Sequence, residues 1–546
     1  TTGVVLASMA VNLLMLNGSI YMMQVYDRVL ASRSVATLAT LSALAIGLYA
    51  FQGLLDAVRQ RLMTRIAAVF AEDLGALAHA AAMRAAAAGS PRAAARPEQD
   101  VERVRTALSG SGPAAVIDLP FAPLFLALIF AIHPLLGGVA LGGAVVLLAL
   151  PILAGRLSRR AAATAAHAAL RRAVEGESQR RHAETAHAMG FVGRLRDRSL
   201  ATAAAAGDAE RAVVDVTGGF SAAARVTRMA LQSMLLGVGA WLVISDAVSS
   251  GAILACSVLV GRALAPVDTA LASWRGLVEA RAAVKRLGDV LFAETGERLR
   301  LPAPRARLAV EGLAVTPPGL DAPVVRGIDF ALDAGEVLAI VGPSGAGKSS
   351  IGRALVGLWT PSAGAVRLDG ARLDQRHPED LGRHLGWVAQ SVGFFDGTIA
   401  ENIARMDPNA SSEAVIAAAR AAGVHDLILR TAAGYDTPIG DAHGPFSTGQ
   451  RQRLALARAL YGDPFLLVLD EANSNLDAQG EAALVRAIGA ARARGAIVVL
   501  ITHRTSLISA ADHLLVVEDG TTKAFGRRDD VVRALAPTPR AAPRAA

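Results

Sequence analysis

Eight consecutive residues, Gly342-Pro343-Ser344-Gly345-Ala346-Gly347-Lys348-Ser349, fit the pattern G-x-x-x-x-G-K-[ST]. Such a loop, set between a strand and a helix, surrounds a phosphate chain with backbone amides and with the positive end of the helix dipole. Here the apolar run Val337–Val341 supplies the strand and a helix is expected from about Lys348. Lys348 then reaches the terminal phosphate oxygens and Ser349 a Mg2+ ion, with Ser350 in the same phosphate-binding segment. Asp470-Glu471 close a second buried run, Leu466–Leu469. Asp470 suits Mg2+, held through water, and Glu471 suits orienting and deprotonating an attacking water. The plainer use of such a pair is to cap a helix. Gln390 and His503 each end a short apolar run, Val388-Ala389 and Ile501-Thr502. Alone, a Gln is a loop residue and a His a structural one. Beside the phosphate loop, Gln390 reads as a metal and catalytic ligand and His503 as a contact to the γ-phosphate. The chemistry of the set is binding and hydrolysis of a nucleoside triphosphate.

The rest of the chain must position these groups. Its 546 residues exceed a single small core, and 53% are hydrophobic but only 4% aromatic. The apolarity is aliphatic and gathers in six segments near 3–25, 36–56, 114–132, 135–155, 226–245 and 250–271. Each approaches the roughly 20 residues that cross a bilayer as a helix. The third contains Asp118-Leu119-Pro120-Phe121-Ala122-Pro123, an acid and an early proline that suit a helix start. Charged residues from Glu279 to Asp289 mark an exit helix, and Leu301-Pro302-Ala303-Pro304 a linker. Short β-branched runs from about 307 to 533 predict buried parallel strands alternating with helices. The expected organisation is a helical domain over 1–290, a linker over 291–306, an α/β domain over 307–535 and a disordered Pro/Ala-rich tail over 536–546.

Arginine placement gives orientation. The 246–251 connection has no Lys or Arg, whereas the second-to-third and fourth-to-fifth connections carry many, including Arg59, Arg65, Arg103, Arg159, Arg171 and Arg181. Those long, Ala-rich connections are expected on the cytoplasmic side, as helical extensions reaching about 35 Å beyond the bilayer. Arg28 and Arg33 run mildly against the rule. The net charge of +8 reflects these flanks. The basic residues are dispersed, with no interleaved aromatic platform, which argues against a nucleic-acid partner. A single cysteine, Cys256, excludes an intramolecular disulfide and a multi-cysteine metal site. No cleavable signal peptide is expected, and the absent initial Met suggests a missing short leader.

Ser447-Thr448-Gly449-Gln450-Arg451-Gln452-Arg453, with the phosphate loop and Asp470-Glu471, resembles the signature of ATP-binding-cassette proteins. The resemblance covers the whole chain. It implies a multidomain membrane protein: a six-helix all-α transmembrane bundle with long cytoplasmic extensions, followed by an α/β P-loop ATP-binding-cassette domain. It also implies ATP and Mg2+ as cofactors, membrane lipid as surroundings and a homodimer with two ATP molecules between two cassettes. Ser447, Thr448, Gly449 and Gln450 would then touch the nucleotide of the partner subunit, with Asp477 nearby. Two departures stand out. Phe446 and Thr448 replace the family's Leu and first Gly, for which altered affinity or rate is expected. Val315-Thr316-Pro317-Pro318 lacks the usual adenine-stacking aromatic, so nucleotide binding is expected to be weaker or to use Pro and Val contacts.

Tyr21-Met22-Met23-Gln24-Val25-Tyr26-Asp27-Arg28-Val29-Leu30, the Asp118 segment and Asn473-Ser474-Asn475-Leu476-Asp477 are similar to type I secretion ATPase/permeases, protease-exporting (PrtD-type) branch. That likeness implies export of unfolded polypeptides bearing a C-terminal signal across the bacterial inner membrane, with a periplasmic adaptor and an outer-membrane channel. The N-terminal peptidase-like domain that some relatives carry is not expected, as there is no room for it before residue 3. Export of lipid or a small amphiphile is the nearest alternative, followed by a non-transporting channel or regulator; a soluble cassette protein is excluded by the spans. Asn12, Asn17, Gln24, Arg262 and Asp268 read either as helix-packing groups or as lining of a transport path. Segments 98–108 and 184–194 are expected to contact the loop after Gln390, Val392–Asp396.

Overall fold

The computed structural model describes residues 2–87, 97–291, 299–440 and 446–535. The tail expected over 536–546 and the connection tip expected at Gly89-Ser90-Pro91 lie outside the described residues. The chain divides into two compact units, one all-α within residues 2–82 and 97–291, the other α/β from Leu299 onward.

In the helical unit six helical stretches are long and apolar enough to cross a membrane: Thr2–Ser32, Val35–Ala87, Ser111–Ile132, Pro134–Arg181, Val192–Ile244 and Ser250–Ala270. The second and fifth run 53 residues each and the fourth 48. At 1.5 Å per residue the longest reach about 80 Å, well beyond a hydrocarbon core of about 30 Å. The fourth and fifth pack together where glycine permits: a Cβ on Gly143 would lie 2.3 Å from Leu231 Cδ2. Helix Pro97–Ser109 runs antiparallel to Val35–Ala87, with Gln60 Nε2 donating to Ser109 O at 2.8 Å and His79 beside Glu98 at 3.2 Å. Segment 98–108 is therefore the body of an arm, and the residues joining the arms are not described. This arm packs on the exit helix Trp274–Leu291 through Val101, Val104, Ala283 and Leu287. Burial alone would raise the Asp100 carboxyl, but hydrogen bonds from Arg286 (2.6 and 2.8 Å) and Arg103 (2.7 Å) outweigh it and hold it below the usual carboxylate range.

The helix start expected at Asp118 is corrected. The helix begins at Ser111, and Asp118 falls inside a nearly continuous stretch, one turn of which tightens at Leu119–Phe121 around Pro120. The carboxylate serves another purpose. Arg59 Nη1 donates to both its oxygens at 2.9 and 2.8 Å, and Asn12 Nδ2 donates to Oδ1 at 2.8 Å. Ser8 adds its hydroxyl to Arg59 at 3.3 Å and its carbonyl to Asn12 at 2.8 Å. All four residues are buried. Asn17 Nδ2 bonds Ala45 O at 3.1 Å and Tyr21 pairs with Ser42 at 2.8 Å, so Asn12 and Asn17 act as rungs between helices. Asp268 ion-pairs with Arg228 of the fifth helix rather than with Arg262. Asp27 lies in a π-helical turn, Val25–Val29, and accepts from Ser249 Oγ (2.7 Å) and Gly251 N (2.9 Å), which caps the last span from outside its own helix.

The α/β unit holds two main sheets. A six-stranded sheet runs Thr521–Arg527, His513–Glu518, Val337–Val341, Ile497–Ile501, Leu466–Asp470, Leu385–Val388, its last five strands mutually parallel. The strands Val337–Ile340, Ile497–Ile501 and Leu466–Asp470 are wholly buried, as continuous apolar runs covered on both faces must be. A second sheet places Val325–Asp333 beside Arg307–Val315, then Ala363–Leu368 and Ala371–Arg372.

The Arg59–Asp118 pair is the sharpest stability test in the helical unit. Asp118→Ala leaves a buried guanidinium with one carboxylate, the half-exposed Asp56, and should destabilise by about 3–5 kcal/mol. Thermal unfolding of the purified protein in detergent should show that loss, and the Arg59→Met/Asp118→Leu double variant should recover most of it.

Candidate nucleotide site

Four parallel strands end in one row. Ile340 lies opposite Ile501, Ile501 opposite Asp470, and Leu469 opposite Val388. The residues just beyond are Gly342, His503, Glu471 and Gln390, so the register of the sheet alone gathers groups more than 160 positions apart in sequence. Carboxyl ends of parallel strands are where open α/β sheets bind ligands.

The phosphate loop needs its glycines at defined places. A Cβ on Gly342 would lie 2.0 Å from Val517 O, and one on Gly347 (φ +91°) 2.5 Å from Val325 Cγ2. Helix Lys348–Leu355 follows. Lys348 is buried and its ammonium donates to Gly342 O at 2.9 Å and Pro343 O at 2.8 Å, folding back over the loop it is to serve. Burial lowers the Lys348 ammonium, with Glu471 and Asp470 opposing. Ser349 Oγ donates to Asp470 Oδ1 at 3.1 Å, and burial raises the Asp470 carboxyl despite that bond. Gln390 Nε2 donates to Glu471 Oε2 at 3.1 Å, and His503 Nε2 lies 3.7 Å from Glu471 Oε1. Ser349, Asp470, Gln390, Glu471 and His503 thus form one connected cluster. Its oxygen donors, Ser349 Oγ, Asp470 and the Gln390 amide, have the chemistry a hard cation such as Mg2+ prefers.

The signature residues belong to another edge. Ser447 caps helix Thr448–Leu460: its hydroxyl accepts from Gln450 N, and Gln450 Oε1 accepts from Ser447 N at 2.9 Å. Ser447 and Thr448 are exposed. Among the described residues no hydrogen bond or ion pair joins Ser447–Gln450 to the phosphate loop. Asp477 caps helix Ala478–Ala493 through Gly480 N at 2.7 Å. Val315 is fully buried and Thr316 Oγ1 reaches Ser362 Oγ at 3.2 Å, so that edge presents no ring. Val392–Asp396 is tied within the unit, Asn402 bonding Phe395 through both its amide atoms. Two residues quoted within the motifs were given no role of their own. Gln452 is buried with its amide on Glu471 O at 3.0 Å, and Asn473 accepts from Thr502 Oγ1 at 3.4 Å. The signal for Gln452 was a polar residue on the apolar face of the signature helix.

The structure of a bacterial Atm1-family ABC exporter with ATP bound has the same fold: TM-score 0.84 at 23% identity, over 98% of this chain and 96% of that one. The ABC transporter family model matches residues 325–474. The type I secretion system ATP-binding protein PrsD of Rhizobium meliloti (strain 1021) is 46% identical over 536 residues, 97% of this chain and 92% of the relative. The cyclolysin secretion/processing ATP-binding protein CyaB of Bordetella pertussis (strain Tohama I) is 29% identical over 97% of this chain and 75% of its own length. The leukotoxin translocation ATP-binding protein LktB of Mannheimia glucosida is 32% identical over 80% and 62%. This chain belongs to the ABC transporters, in the group of type I secretion ATP-binding proteins. It is a multi-pass membrane protein that binds ATP and couples its hydrolysis to transport.

A raised Asp470 carboxyl means that the folded state favours its protonated form. Stability is therefore lost as pH rises from the ordinary carboxylate range through the raised value. Asp470→Asn keeps the acceptor for Ser349 and removes the charge. It should raise the melting temperature of the nucleotide-free protein at neutral pH, by differential scanning fluorimetry, while abolishing ATP turnover.

Proposed function

We propose that this protein is the ATP-driven exporter of a type I secretion system, moving unfolded polypeptides with a C-terminal signal across the bacterial inner membrane. The observation that carries this is 46% identity to PrsD along nearly the whole chain, helical unit included, together with a complete hydrolytic cluster at the strand ends. The working unit is a homodimer. Ser447, Thr448, Gly449 and Gln450 engage the nucleotide of the partner subunit, which accords with the exposure of the first two and with the four having, among the described residues, no bond to the phosphate loop of their own chain. The loop Gly342–Ser349 and Ser350 bind the phosphates, with Asp477 near the shared interface. Ser349, Asp470 and Gln390 hold Mg2+, which supplies charge neutralisation of the phosphates when bound. Glu471 takes the proton of the attacking water, and His503 steadies the γ-phosphate. The α/β unit is cytoplasmic, and a periplasmic adaptor and an outer-membrane channel complete the path.

ATP hydrolysis in lipid nanodiscs, with Glu471→Gln as the blank, tests the assignment. An unfolded polypeptide carrying the C-terminal signal should change the rate severalfold, and the same polypeptide without the signal should not. A response confined to lipid or small amphiphiles would overturn the cargo and leave the motor.

A further inference from the structure

We infer that Gln452 is a positioning residue for Glu471, tying the helix that bears Ser447–Gln450 to the carboxylate that activates water. The inference rests on the role given to Glu471 above. Glu471 is a non-glycine residue at φ +49°, in the left-handed region, where a side chain is held only by its surroundings. Its amide donates to Ile501 O at 2.9 Å, its carboxylate receives Gln390, and its carbonyl accepts from both Ser474 N and Gln452 Nε2, each at 3.0 Å.

The Gln452 amide does more than satisfy that carbonyl. Its Nε2 also reaches Ser474 Oγ at 3.4 Å, and its Oε1 accepts from Asn475 N at 3.1 Å. One buried amide therefore spans the loop from 471 to 475, donating at one end and accepting at the other. One helical turn earlier Gly449 faces the same loop: a Cβ there would lie 2.3 Å from Asn475 O. The helix and the loop thus meet at two rungs, and a displacement of Ser447–Gly449 by a nucleotide passes to the Glu471 backbone. None of these bonds touches the phosphate loop, so ATP affinity is set elsewhere.

The test is steady-state ATPase kinetics of the full-length protein in nanodiscs for wild type, Gln452→Met and Gln452→Glu, with Glu471→Gln as the blank. Met fills the space without polar atoms. An ionised Glu keeps the acceptor for Asn475 N and loses the donor to Glu471 O; a protonated Glu regains a donor. Both variants should lower kcat by about tenfold or more with KM for ATP within about twofold of wild type. The kcat of Gln452→Glu relative to wild type should rise as pH falls, whereas that of Gln452→Met should not. The proposal is overturned if both variants keep kcat within about twofold, or if KM rises with the loss of kcat, or if the two variants share one pH profile. Wild-type turnover no faster than Glu471→Gln would instead overturn the role of Glu471 itself.

Discussion

The row formed by Ile340, Ile501 and Asp470 across three parallel strands is the constraint on which the catalytic unit depends. Parallel pairing fixes where each strand stops relative to its neighbours, and full burial on both faces fixes the register, because any slip would strand apolar side chains or leave ladder groups unpaired. With the register set, every chain must leave the sheet at the same edge. The phosphate loop, Glu471 and His503 are then neighbours without any direct interaction having to recruit them. Gln390 joins by the same logic, two residues beyond Val388 on the next strand.

Buried charge is handled oppositely in the two units. In the helices Asp118 is fully compensated, by a guanidinium, an amide and the geometry of three helices. Such a site holds elements together. At the strand ends the Asp470 carboxylate accepts, among the described residues, only from the Ser349 hydroxyl, and Lys348 spends its ammonium on two carbonyls. Burial therefore raises the one and lowers the other. Phosphates and a cation would supply the opposite charges that each of the two lacks. An incompletely paired buried carboxylate marks binding, and a completely paired one marks architecture.

That distinction explains what could be read from the chain beforehand. The phosphate loop, the capped signature helix and Asp470-Glu471 are local patterns, in which function follows from residues within a few positions of one another. The six spans were legible from run length, and the α/β alternation from short buried runs. The pairings were not. Asp118 looked like a helix start because acid and proline suit one, yet its partner Arg59 is 59 positions away. Asp27 reaches Gly251 across 224 positions, and Asp268 takes Arg228 from another helix. Gln452 hid for a different reason: its place on the apolar face of its helix was legible, but the loop it bonds was not.

Thr448, which departs from the family pattern, and Gly449, which keeps it, can be weighed by the room around them. Thr448 occupies the first position of its helix with an exposed side chain, so a β-branched residue enters no neighbour within its own chain. Its cost is confined to first-turn backbone preference, and the reciprocal bonds of Ser447 and Gln450 hold that turn closed. Gly449 has no such latitude, because Asn475 O fills the place of its Cβ. The substitution falls where space exists and the retained glycine where it does not. The signature is therefore constrained first by the loop that leads from Glu471 to Asp477 within its own subunit. A residue such as Thr448, free of that loop, can vary without disturbing Glu471.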